Sequence, residues 1–120
     1  MSLRLQPGLR VFVYHDAIDM RAGFCKLQAL VTNAMKENIF EGSLFVFLGK
    51  NRRRAKILIF DGTGLILIVK RLDRGMFMSV DDFFESREIE LGELERIMDG
   101  ANLRVVYAAA KAKRESQEVA

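Results

Sequence analysis

The residues of this 120-residue chain best suited to act on a partner are cations. Lys50, Arg52, Arg53, Arg54 and Lys56 fall in one short stretch, and Lys70, Arg71 and Arg74 in a second. From Lys50 to Arg74 these eight face only two acids, Asp61 and Asp73. A guanidinium can give a phosphate two parallel N–H bonds, so a short connection carrying several arginines can follow a nucleic-acid backbone. The alternative is a turn kept soluble by its charge. Nothing resembles a helix-turn-helix or a zinc finger, so phosphate contact rather than base reading is the chemistry expected. From Val80 to Asp99 the balance reverses, with eight acids and two arginines, and the net charge of +3 conceals this segregation. The acidic stretch reads either as the wet face of a helix or as a docking surface for a basic partner. In the second reading Phe83 and Phe84 are its anchors, since aromatic side chains carry much of the binding energy of interfaces.

Residues for covalent or metal chemistry are sparse. His15 beside Asp16 could form an acid–base pair, but one histidine and one cysteine give no metal-ligand spacing. Cys25 has no histidine placed to activate it and reads as a small core residue. Asp16, Asp61 and Asp73 could in principle gather around two metal ions, yet nothing in the sequence brings them together. Asp61-Gly62-Thr63-Gly64 has the composition of a hairpin turn, and no phosphate-binding loop pattern follows it. Asp19 reads as a helix N-cap, Arg21 as a structural salt-bridge residue with a phosphate or partner contact as the alternative, and Gly23 as a site of close helix-to-sheet approach. No catalytic residue, metal site or cofactor site is assigned.

The elements that position the cations follow from the apolar pattern. Leu9 to His15 is β-rich and reads as a strand after the turn residues Pro7-Gly8. Met20, Phe24, Leu27, Val31 and Ala34 recur at helical spacing. Three apolar blocks follow, Leu44–Leu48, Ile57–Phe60 and Leu65–Val69. Their short connections require antiparallel pairing, because a parallel crossover needs a dozen or so residues. The blocks are nearly continuous rather than alternating, so both sheet faces should be covered. The helix after Asp19 serves one face. Ile89, Leu91, Leu94, Ile97 and Met98, on or beside a helix ended by Gly100, serve part of the other, and a subunit interface is a further candidate. The fold expected is α+β: an antiparallel β-meander of about five strands packed with an amphipathic helix and a C-terminal helix. Residues 5–103 should form a single domain, and 104–120 a loosely helical or mobile charged tail.

No apolar run reaches the roughly 18 residues of a membrane span, and no signal peptide is visible. A single cysteine cannot form an internal disulfide. These features suggest a cytoplasmic protein.

Several motifs occur together in one order. Asp19-Met20-Arg21-Ala22-Gly23-Phe24 is followed by Gly42-Ser43-Leu44-Phe45-Val46-Phe47, then by Lys56-Ile57-Leu58-Ile59-Phe60-Asp61-Gly62-Thr63-Gly64. Lys70-Arg71-Leu72-Asp73-Arg74-Gly75-Met76-Phe77 comes next, and Leu94 to Gly100 closes the series. In this the chain resembles the small accessory proteins called TnpB, from the second reading frame of bacterial insertion-sequence-66 elements. The family usually places Trp where Phe60 and Met78 stand here. The resemblance implies a part in DNA transposition beside a separate transposase of the DDE type that carries the chemistry, and it brings no catalytic residues with it. Together with the charge pattern it suggests a non-catalytic accessory factor with DNA as one expected partner, while another surface meets the transposase or a second copy of itself. The competing class is an assembly factor that docks on the transposase without touching DNA.

Overall fold

The computed structural model describes residues 9–77 and 88–99. Five strands and two helices follow in chain order: β1 (Val11–Val13), α1 (Phe24–Ala29), β2 (Leu44–Leu48), β3 (Arg54–Phe60), β4 (Leu65–Arg71), β5 (Glu88–Ile89) and α2 (Leu91–Asp99). The sheet order is β4-β3-β2-β1-β5. β2, β3 and β4 form the antiparallel meander that their short connections demand. β5 adds to β1 antiparallel. β1 and β2 pair in parallel, Val11 opposite Leu44 and Val13 opposite Val46, so the α+β sheet is mixed though mostly antiparallel. The long connection between these two strands carries α1, as a parallel crossover requires.

Both faces of the sheet are covered. On one, Phe12, Phe45, Phe47 and Leu58 pack against Leu27, Val31, Met35 and Ile39. On the other, Val11, Val13, Val46, Ala55, Ile57 and Ile59 pack against Leu94 and Ile97 of α2 and against Phe77. Two buried faces explain why β2 and β3 are apolar on both sides of the pleat.

The first helix departs from its simple 3.6-residue reading. Its N-cap is Gly23 rather than Asp19, and after Ala29 it runs on as a π-helical turn, Leu30–Ala34. The wider turn shifts the buried stripe by one position. Met35 is buried in place of Ala34, while Phe24 and Cys25 face outward. Gly23 makes no close approach, since a Cβ there would meet nothing within 4 Å. Close approach belongs to Gly49, where a Cβ would stand 3.1 Å from Met20 Cγ. Asp19 caps nothing: its carboxylate accepts from the Arg21 backbone N–H at 2.9 Å and from the guanidinium at 2.7 Å, a local ion pair.

At the far edge of the sheet, Arg10 donates from Nε and Nη2 to the two Glu88 oxygens at 2.8 and 3.0 Å, tying β5 to the start of β1. The Arg10 hydrogen bonds hold the Glu88 carboxyl below its ordinary value. A folded value below the unfolded one contributes stability at neutral pH that is lost as the pH falls below about 4. Glu88→Gln should therefore lower the urea midpoint at about pH 7, and its stability should then fall less steeply than wild type as the pH drops below about 4. Parallel curves for the two proteins would contradict this coupling.

Candidate nucleic-acid interface

Backbone geometry gathers the cations. β3 begins at Arg54 and β4 runs through Arg71, so three cations expected in connections (Arg54, Lys70 and Arg71) belong to strand ends. The turn between β2 and β3 is closed by the Gly49 N–H donating to the Arg54 carbonyl, the Arg52 N–H to the Gly49 carbonyl and the Arg53 N–H to Asn51 Oδ1, all at 3.0 Å. Arg52 holds the left-handed conformation at φ 55°. The segment after β4 folds back onto this turn: the Leu72 N–H donates to the Arg53 carbonyl at 2.8 Å, and the Phe77 N–H to the Arg52 carbonyl. Gly75, at φ 75°, allows the bend that carries Arg74 round to it. Lys50, Arg52, Arg53, Arg54, Lys70, Arg71 and Arg74 thus come together at one end of the sheet, as hairpin geometry leads one to expect.

Their surroundings differ. Lys50, Asn51 and Arg54 line a shallow cleft with Ile18, Asp19 and Met20. Arg54 stands directly opposite Arg71 across the β3–β4 ladder. Lys70 points to the other face, where its Nζ donates to the Met98 carbonyl at 2.7 Å and caps the end of α2. Among the described residues no acid forms an ion pair with Arg71.

Lys56 stands apart from the other cations. It is buried within β3, and its Nζ donates to the Met20 and Ala22 carbonyls at 2.8 and 2.6 Å. This ties the approach to α1 onto the sheet. The sequence signal was indirect: Lys56 continues the register of a strand whose other residues are interior.

Asp61 is a turn residue. Its Oδ1 accepts from the Thr63 N–H, the Thr63 hydroxyl and the Gly64 N–H, each at 2.9 Å, and these bonds lower its carboxyl pKa. The seven-residue strands of the hairpin separate Asp61 from Asp73, a span of roughly 20 Å at the strand rise per residue. His15 Nε2 lies 3.2 Å from Asp16 Oδ2, both exposed. Among the described residues no group of three His, Cys, Asp or Glu is placed to hold a metal ion, and no helix is long and apolar enough to cross a membrane. Phe60 is half-buried, with the Phe40 ring edge-on at 5.0 Å. Phe83, Phe84, Met78 and the tail 104–120 lie outside the described residues.

The chain belongs to the family described as IS66 Orf2 like protein, whose model matches residues 9–108. It is similar to two uncharacterized proteins of Sinorhizobium fredii. It is 41% identical to y4hO over 71 residues, 59% of this chain and 62% of that protein. It is 38% identical to y4jC over 71 residues, 59% of this chain and 61% of that protein. The match thus spans about three-fifths of each curated relative. No solved structure matches.

Proposed function

We propose that the protein is a non-catalytic accessory factor in DNA transposition that contacts DNA phosphates through its basic end, while a separate transposase carries the chemistry. The observation that supports this reading is the fold-back of residues 72–77 onto the β2–β3 turn, which joins two basic segments into one surface. A convergent positive surface attracts a polyanion and binds it with a salt-dependent affinity. Lys50, Arg52, Arg53, Arg54, Arg71 and Arg74 meet the phosphates, with Lys70 at the margin.

Fluorescence anisotropy with a labelled random duplex, from low to near-physiological salt, tests the reading. Replacing Arg52, Arg53 and Arg54 by Ala should weaken binding and make log K against log salt shallower, by roughly 0.9 for each phosphate that is no longer neutralised. An unchanged slope would remove the turn from the interface. No binding by the wild type even at low salt would move the function to assembly on a protein partner.

A further inference from the structure

We propose that Arg54 and Arg71 form a clamp for one phosphate group, a discrete site within the basic end. This inference rests on reading that end as a phosphate-binding surface. The register places the two residues directly opposite each other on adjacent antiparallel strands, and so on the same face of the sheet. Like charges at such a position destabilise a sheet. Arginine cannot escape the repulsion by losing its proton.

Neither residue forms an ion pair among the described residues. The nearby Asp19 carboxylate is engaged by Arg21. Two exposed arginines at facing positions of the ladder, without an ion-pair partner, suit a tetrahedral oxyanion, which can accept two parallel N–H bonds from each. Lys50, on the cleft that Arg54 lines, supplies a third cation. The other lysines of the segment are occupied, Lys56 by the Met20 and Ala22 carbonyls and Lys70 by the end of α2. The phosphate can be an internal diester of the DNA backbone or a terminal monoester. A monoester carries close to two negative charges at neutral pH and would balance the pair fully.

The test is thermal unfolding of the wild type, Arg54→Gln and Arg71→Gln in chloride and in inorganic phosphate at matched ionic strength. Phosphate also stabilises proteins by exclusion from their surfaces, so the readout is the difference between proteins. Each single variant should melt above the wild type in chloride, because the repulsion is gone. Phosphate should raise the wild-type Tm by several degrees more than either variant's. Equal phosphate shifts in all three proteins would overturn the clamp.

Anisotropy with duplexes ending in 5′-phosphate or 5′-hydroxyl separates the two sources. Tighter binding of the phosphorylated end, lost in both variants, assigns a terminal monoester. Equal binding of both ends, weakened in both variants, assigns the backbone diester. If DNA binding survives Arg54→Gln and Arg71→Gln but is lost on replacing Arg53 and Arg74, the basic end is the DNA surface and the clamp is wrong. If the phosphate shift is present and no duplex binds, the clamp stands and the DNA reading fails.

Discussion

Phe77→Ala should lower stability by about 3–5 kcal/mol, the usual cost of deleting a large buried aromatic. Phe77 is fully buried against the α2 side of the sheet, in a cluster with Ile57, Leu94 and Ile97. Its backbone N–H also fastens the returning segment to the Arg52 carbonyl. Loss of the ring should therefore loosen Arg74 from the β2–β3 turn, and DNA affinity should fall even at temperatures where the variant is folded. Phe77→Leu keeps most of the volume and should cost far less. Urea denaturation of the three proteins gives the stabilities, and a loss below about 1 kcal/mol for Phe77→Ala would show that the ring is not a core anchor.

Lys56→Ala should cost at least about 3 kcal/mol, since hydrogen bonds to charged groups contribute roughly 1.5–3 kcal/mol each and two carbonyls lose their donor. The affected carbonyls, Met20 and Ala22, lie just before α1, so amide exchange should rise first in residues 20–27. Lys56→Met keeps the apolar stem and recovers packing but not the donor, so its stability should fall between wild type and Ala. The salt dependence of DNA binding should be unchanged in both, in contrast to the triple arginine variant. A shallower salt slope in Lys56→Met would return Lys56 to the phosphate-binding set.

The meander and its two covered faces were legible because uninterrupted apolar blocks joined by short polar connections admit few arrangements. The gathering of the cations was legible for the same reason, since a hairpin brings its outer ends together. The parallel pairing of β1 with β2 was not, because a strand followed by a long connection can pair in either direction. The π-helical turn leaves no mark in a sequence whose apolar spacing fits an ordinary helix over its first turns. Phe24 and Cys25 lie in the first turn of the helix, off the stripe of Leu27, Val31 and Met35 that meets the sheet, and so face outward. Asp19 has the composition of an N-cap, but its short side chain serves Arg21, too early in the chain for the helix that begins at Phe24. Lys56 and Lys70 show the limit of counting charges. Whether a lysine meets solvent or a carbonyl depends on which backbone ends lie within reach of its stem, and that is a tertiary property.

The bond from Lys70 to the Met98 carbonyl sets the last turn of α2 beside the basic end of the sheet rather than across the molecule from it. A small fluorophore carried on that turn would sit close enough to the surface proposed for DNA to report on a ligand there.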